Sequence, residues 1–353
     1  MIEQLFRSYL ISYLFWLGIA LGCLPLLMLH HLVGGAWGFA IRRVLEAGTR
    51  TLPLMTLLFL PILFGIHYLY EWSHPEIVAR DEILQAKGAY LNVPFFIARA
   101  VIYFFSWLIF AYLLNKWSAE QDATGNPALV RRFQLLSGPG LVVYGLAITF
   151  ASVDWGMSLE PRWFSTIYGL LFVVGQALAA LAFVIPVAAR LSDSPLVSKF
   201  LTPAIFQDLG NLLLAFVMLW AYFAFSQYLI IWSGNLPSEI PWYVRRGTNG
   251  WQWVAALLAL FHFAIPFLLL LGRANKRKKS FIALIAIAVV AMRWVDIYWL
   301  IAPAFFKSVR IHWMDILLLA VIGAIWFYVF LGQLMKRALL PLRDPNFVVE
   351  RAA

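Results

Sequence analysis

Nine apolar runs dominate the sequence, and each is long enough to cross the hydrocarbon core of a membrane as an α-helix, which takes about 20 residues. The 353-residue chain is 63% hydrophobic and only 12% charged, whereas about a quarter of the residues in soluble domains are charged. The runs are apolar at both odd and even positions, which excludes transmembrane β-strands because those alternate apolar and polar residues. The sequence therefore predicts an all-α polytopic membrane protein, with helices near residues 8–32, 51–70, 92–115, 135–154, 164–188, 206–232, 251–272, 280–301 and 313–335.

The connections between these helices differ in charge between the two sides of the membrane. Seventeen Lys and Arg residues fall on the side that holds the C-terminus, and eight fall on the side that holds the N-terminus. The positive-inside rule then predicts an outer N-terminus and a cytoplasmic C-terminus. These connections also account for the net charge of +10, so we expect membrane lipids as partners and no nucleic acid.

Ionisable residues at membrane depth are costly and normally face the protein interior, which makes them candidates for function. In the first four helices His67, Arg99 and Asp154 fall toward the side of the N-terminus, and Tyr9 and Tyr13 lie at the same level. These groups can form a proton-accepting site. They can equally neutralise one another as a structural cluster, and the sequence leaves both interpretations open.

A second candidate lies in helix 8, where Arg293 and Asp296 are three residues apart and therefore share one helix face. We expect them to form an internal ion pair, which is either structural or part of a proton relay. His312 and Asp315 begin helix 9 at the same level and can extend this pair.

Two further polar residues lie near the middle of the membrane in the second half of the chain. His262 precedes Pro266 by four residues, a spacing at which the proline ring disrupts the helix. Gln176 in helix 5 can meet His262 at that depth.

The one cysteine, Cys23, excludes an intrachain disulfide and a cysteine-ligated cluster. No histidine pair suits a haem, and no zinc or nucleotide motif occurs, so we expect this chain to bind no metal or haem.

Four stretches carry a resemblance to a known family: FWLGIALGCLPLLMLHHLVGGAWG (15–38), RTLPLMTLLFLPILFG (50–65), DWGMSLEPRWFSTIYG (154–169) and RWVDIYWLIAP (293–303). They resemble the ActF membrane subunits of bacterial alternative complex III, a quinol oxidoreductase, which belong with the PsrC/NrfD type of membrane anchor. The resemblance implies a four-helix bundle in residues 1–157 (helices 1–4), a second in 158–303 (helices 5–8), and a flanking helix with a cytoplasmic tail in 304–353. Family members carry a further flanking helix at their N-terminal end, which we expect this chain to lack.

The resemblance also implies a place in a larger assembly of the bacterial cell membrane. Such complexes oxidise quinol and reduce cytochrome c or a blue copper protein in respiratory or photosynthetic electron transport. Haem c and iron–sulfur clusters are expected on partner subunits, and menaquinol on a sister membrane subunit. Quinone binding by this chain stays open.

Three functions are compatible with these observations. The leading expectation is a scaffold that also conducts protons, through some of the residues His67, Arg99, Asp154, Gln176, His262, Arg293, Asp296 and Asp315. The first alternative is a quinol-binding catalytic subunit with its site near the outer face of helices 1–4. The second is an autonomous secondary transporter, although the sequence lacks the paired Gly- or Pro-interrupted helices that are typical of transporter repeats. The segment 152–168 can also serve as a docking surface for extrinsic subunits.

Overall fold

The structure, a computed structural model, describes residues 1–347 except for the side chain of Leu196. Over that range the chain is helical without β-strands, and nine segments are long and apolar enough to span a membrane. The predicted all-α polytopic fold is thereby confirmed, and the protein is a multi-pass membrane protein. Residues 348–353 of the predicted tail lie outside the described residues. Spans 1 to 9 are Ile2–Val33, Ala36–Phe64, Val93–Thr124, Ala128–Leu159, Tyr168–Leu191, Pro203–Gly234, Trp251–Leu271, Lys279–Ala304 and Trp313–Met335.

Proline interrupts two of the spans, because it lacks the N–H that continues a helix. Span 2 is built from three helices, Ala36–Thr49, Leu52–Leu57 and Leu60–Phe64, and the second and third have a proline in their first turn. In span 7 a π-helical segment, Leu258–Ala264, precedes Pro266. Inserted turns of this kind frequently occur at functional sites.

Span 2 begins at Ala36, well before the start that the apolar run near residue 51 predicted. Arg42 and Arg43 fall in the predicted connection between helices 8–32 and 51–70, yet they lie within this helix and are almost fully buried. The helix extends into this polar segment because Glu46 lies one turn further along and pairs with both arginines. Pairing with Glu46 lowers the cost of burying the two arginines. The apolar pattern alone does not include this effect, and it therefore predicted a helix start that is too late.

Span 1 forms the centre of the structure, and 94% of an apolar 18-residue stretch of this span is buried. It packs against spans 2, 4, 5 and 9. Spans 1–4 contact one another in a ring, spans 5–8 form a second ring, and the two rings meet where span 1 crosses span 5. We call the side that holds Met1 the N-terminal face and the opposite side the C-terminal face.

The connections at both faces fold into short helices. Those of the N-terminal face are Ile66–Leu69, Glu71–Ser73, Pro75–Val78, Glu82–Ala86 and Ile240–Arg246, and those of the C-terminal face are Pro195–Ser198 and Arg273–Arg277.

The segment between spans 4 and 5 ties the connections of the N-terminal face together. Arg162 donates hydrogen bonds to Asp81 and Glu71, which follow span 2. The Leu84 N–H and the Arg162 guanidinium lower the pKa of the partly buried Asp81 carboxyl. Glu160 accepts hydrogen bonds from arginines of the helix Ile240–Arg246, between spans 6 and 7. One short segment therefore links the two rings through opposite charges.

A glycine allows spans 1 and 5 to cross closely. A Cβ atom added at Gly22 would overlap the backbone carbonyl of Gln176, whereas one at Gly18 would lie 3.5 Å from the Gln176 Cγ, an ordinary contact. Small residues spaced by four positions let membrane helices approach until their backbones touch. The close crossing of spans 1 and 5 thus depends on the missing side chain of Gly22.

We expect Gly22→Ala to lower the free energy of unfolding by about 1–3 kcal/mol, the usual cost of overpacking a rigid core. Gly18→Ala is the matched control, because it makes the same change on the same helix without a backbone overlap. Thermal unfolding of the two variants in detergent measures the difference. Equal midpoints would contradict the assignment of the crossing to Gly22.

Candidate functional site

Arg99 and Asp154 form a closed ion pair between spans 3 and 4, near the N-terminal face. The Arg99 Nε and Nη2 donate to the two carboxylate oxygens of Asp154 at 2.8 and 2.9 Å. Tyr103 donates a third hydrogen bond to Asp154 at 2.8 Å. The remaining Arg99 Nη1 donates to the Tyr90 carbonyl oxygen, and the guanidinium lies 3.8 Å from the Tyr90 ring centroid. Both charges are satisfied by protein groups, as a structural pair requires.

The other polar residues predicted for this cluster do not join it. His67 is exposed and its Nδ1 lies 3.2 Å from the Ser73 Oγ. The Tyr9 and Tyr13 hydroxyls instead donate to the carbonyl oxygens of Leu58 and Met55 in span 2. Those carbonyls are available because the helix breaks in span 2 shift the backbone hydrogen bonds by one residue. The tyrosines therefore stabilise the interrupted helix.

Span 8 carries the expected ion pair between Arg293 and Asp296, and both side chains are buried. Asp296 also accepts a hydrogen bond from the Trp220 indole at 2.9 Å. His262 packs its ring against the edge of Trp220 with the centroids 4.4 Å apart. The Nη2 of Arg293 and both ring nitrogens of His262 are buried without a protein partner. In contrast to the Arg99 pair, this cluster has unused hydrogen-bonding capacity.

Span 5 supplies the wall on which the Arg293 guanidinium rests. A Cβ atom added at Gly175 would overlap that guanidinium, so the arginine fits only because this position has no side chain. The next residue, Gln176, accepts a hydrogen bond from the Tyr144 hydroxyl at 2.9 Å. Gln176 thus bonds to span 4, and the predicted meeting with His262 does not occur.

A cleft of about 920 Å³ opens beside this cluster among spans 5–8 and the helix Ile240–Arg246. Its polar lining includes Asp296, Arg246, Gln227 and Tyr243, and the rest of the wall is mostly aromatic and aliphatic. Sites for small organic ligands combine apolar walls with a few polar groups in this way. The cleft therefore connects the buried Asp296 carboxylate with a space that is large enough for a ligand.

Arg246 stands at the end of this cleft near the N-terminal face. Its guanidinium lies 3.5 Å from the ring centroid of Trp242 and donates to Glu160 at 2.9 Å. Burial lowers the pKa of Arg246, and the Glu160 charge opposes that shift. Glu160 therefore keeps a cation in place at the cleft.

Asp315, expected near Arg293, lies elsewhere. It accepts hydrogen bonds from the Ser8 hydroxyl and from the Gln4 amide of span 1. It also accepts from the His312 backbone N–H at 2.8 Å as part of a helix capping box. Asp315 thus fastens span 9 to span 1.

Sequence reasoning missed a further ionic network near the C-terminal face. The carboxylate of Glu46 pairs with Arg42 at 2.9 Å and with Arg43 at 2.7 Å. Arg42 also binds Asp344 of the C-terminal segment, and Arg43 binds Asp122 of span 3. The signal was a single acid three and four residues after two arginines, which is the spacing of neighbours on a helix.

Within residues 1–347, no group of three or more His, Cys, Asp or Glu side chains is arranged to hold a metal ion. No protein-family model matches the chain, and no curated protein matches it significantly.

Because every hydrogen-bonding group of the Arg99–Asp154 pair has a protein partner, we predict that the pair stabilises the fold. Asp154→Asn leaves Arg99 buried without a negative partner, so we expect a loss of about 3–5 kcal/mol in the free energy of unfolding. Arg99→Gln should have a similar effect, and the double variant should lose much less than the sum. Thermal unfolding in detergent measures all three.

Asp193→Asn is the control, because Asp193 pairs with Lys279 at the C-terminal face and both side chains are about half exposed to solvent. We expect almost no change in its unfolding midpoint. If Asp154→Asn unfolds no earlier than Asp193→Asn, the Arg99 pair is not a structural element.

Proposed function

We propose that this protein is a membrane subunit of a quinol-oxidising electron-transfer complex of the alternative complex III type, in the bacterial cell membrane. In this proposal the chain is a scaffold whose second ring, spans 5–8, conducts protons. Its N-terminal face is the outer face, and haem and iron–sulfur clusters belong to partner subunits. The proposal combines the resemblance of four sequence stretches with the unsatisfied polar groups around Asp296.

The observation that carries the proton-conducting part is the incomplete hydrogen bonding of the cluster in spans 7 and 8. Buried polar groups almost always have a partner, and where protein supplies none, water normally does. Arg293 offers one free donor, and His262 offers two free ring nitrogens. Water bound to these groups would place exchangeable protons beside the Asp296 carboxylate. A carboxylate, an imidazole and bound water are the usual components of a proton relay in a membrane.

The Arg99 pair is less suited to this role. Asp154 already accepts three hydrogen bonds from Arg99 and Tyr103, and neither side chain of the pair has a buried polar atom left to bind water. His67, the nearest expected relay partner, bonds to Ser73 instead. The geometry therefore favours spans 5–8 over spans 1–4.

The scaffold part of the proposal is supported by the N-terminal face. There Arg162 and Glu160 hold the connections of both rings together through ion pairs. The Trp163 ring stacks on Trp242 with the centroids 4.6 Å apart, which stiffens the same segment. A preformed surface loses little conformational entropy when an extrinsic subunit docks on it.

We expect Asp296→Asn to slow proton movement by about 100-fold or more, the scale of a positioned acid–base group. The assembled complex, reconstituted in proteoliposomes with a pH-sensitive dye inside, measures proton movement during quinol oxidation. Asp208→Asn on the exposed start of span 6 is the matched control and should behave like the unmodified complex.

His262→Phe separates the relay from structure. Phenylalanine keeps the aromatic contact with Trp220, and no protein hydrogen bond is lost because His262 makes none. The relay predicts slower proton movement with an unchanged unfolding midpoint. Normal proton movement in both Asp296→Asn and His262→Phe would overturn the proton-conducting proposal.

A second candidate function is quinol binding within the cleft of spans 5–8. The cleft favours it, since it has mainly aromatic and aliphatic walls and places Asp296 and Arg246 within one space of about 920 Å³. A carboxylate can accept a quinol hydroxyl proton, and a guanidinium can bind a quinone oxygen. This candidate differs from the site expected near the outer face of helices 1–4.

Filling the cleft tests this candidate. Ala224→Trp inserts a bulky ring into the lining, so bound quinone should be lost and quinol oxidation should slow in the assembled complex. Ala288→Trp, on an exposed position of span 8 outside the lining, is the control. Solvent extraction and quantification of quinone per complex gives the result. Equal quinone content in both variants would reject a quinol site in the cleft.

A further inference from the structure

A second cavity, of about 590 Å³ and with a polar lining, lies toward the C-terminal face, where the break after the first helix of span 2 meets the second half of span 3 and the end of span 9. It is separate from the cleft of spans 5–8. Its polar lining consists of Arg50, Lys116, Arg337, Asn115, Gln333 and Thr49, and no acidic side chain contributes to its wall.

The cations of this cavity are poorly neutralised. Arg337 lies 3.4 Å from Glu46, but that carboxylate already binds Arg42 and Arg43 at shorter distances. Arg50 donates from its Nε only to the Glu46 backbone carbonyl. The Arg50 Nη2 is buried without a protein partner. Arg50 therefore keeps a free donor beside a weakly neutralised Arg337, and an anion in the cavity can bind to both.

Lys116 adds a third positive charge at the rim. In the described part of the chain its ammonium group forms no ion pair, and it lies 5.9 Å from the centroid of the Tyr112 ring. Lys116 is exposed, whereas Arg50 and Arg337 are half-buried. The three cations thus run from the rim to the interior of a single cavity.

The surroundings of the cavity are those of a lipid site. Pro53, Leu108, Ala111 and Tyr112 complete the wall, and the Tyr112 side chain is 63% exposed. Exposed apolar side chains continue along span 3 toward the middle of the membrane. A free inorganic anion would make no contact with this apolar surface, whereas the acyl chains of a lipid would cover it. Basic pockets between spanning helices are known to bind anionic lipid headgroups.

We propose that this cavity binds the phosphate headgroup of an anionic phospholipid, with Arg50, Arg337 and Lys116 contacting the phosphate and the acyl chains lying along span 3. Asn115 adds selectivity: its amide nitrogen donates to Thr49 and Ala111, which leaves its buried Oδ1 as a free acceptor. That oxygen accepts a hydrogen bond from a headgroup hydroxyl, such as those of phosphatidylglycerol. The bound lipid joins spans 2, 3 and 9, and its binding is independent of the proposed electron-transfer function.

The test is a lipid titration of the purified full-length chain in detergent, followed by native mass spectrometry. Phosphatidylglycerol should bind more tightly than phosphatidylcholine with the same acyl chains. Arg50→Gln/Lys116→Gln should weaken phosphatidylglycerol binding by about 30-fold, given the usual contribution of each basic residue to attraction by an anionic lipid. Neither side chain forms an ion pair in the described structure, so the double variant should fold.

The matched control is Arg131→Gln/Arg132→Gln, which removes the same charge from exposed positions on the C-terminal face outside the cavity. We expect its affinity for phosphatidylglycerol to equal that of the unmodified chain. An equal loss in both double variants would overturn the proposal, since binding would then follow net charge. Equal affinity for phosphatidylcholine, or displacement of the lipid by millimolar inorganic phosphate, would overturn it as well.

Discussion

Each arginine that is buried in the described chain forms an ion pair with a carboxylate, and these pairs link spans 2, 3 and 4 and the connections of the N-terminal face. Removing a charge from water into a membrane protein is costly unless an opposite charge and hydrogen bonds replace the solvent. The arginines are Arg42, Arg43, Arg99, Arg246 and Arg293. Their partners lie on neighbouring helices or one turn away on the same helix. Apolar packing fills the space between helices, and the ion pairs add specific contacts between spans 2 and 3 and between spans 3 and 4.

The ion pairs differ in how completely they are satisfied, and that difference separates structure from function. Asp154 accepts three hydrogen bonds, and neither Asp154 nor Arg99 has a buried polar atom without a partner. Near Asp296, however, His262 and Arg293 keep free polar atoms beside a cleft. A fully bonded pair has no free polar atom with which to bind water or pass on a proton. An unsatisfied cluster binds water or ligand, and it can exchange protons with them.

The interruptions in the helices serve the same arrangement. The breaks in span 2 release backbone carbonyls that Tyr9 and Tyr13 of span 1 then bind, so a local defect becomes a contact between helices. The π-helical segment of span 7 carries His262 at the position where it packs against Trp220. Gly22 and Gly175 act through the absence of a side chain, the first at a backbone crossing and the second under a guanidinium.

The sequence by itself determined the class of fold, the approximate positions of the spans and the pairing of Arg293 with Asp296. Those features depend on local patterns, namely long apolar runs and the three-residue spacing that places two charges on one helix face. Only the tertiary structure decided that Arg42 and Arg43 are buried, that Arg99 pairs with Asp154 without His67, and that Asp315 of span 9 bonds to span 1. Contacts between helices depend on the rotation and depth of each helix, which packing sets and which no local pattern encodes. The cleft of spans 5–8 and the basic cavity were unpredictable for the same reason, because each is a space enclosed by residues far apart in the chain.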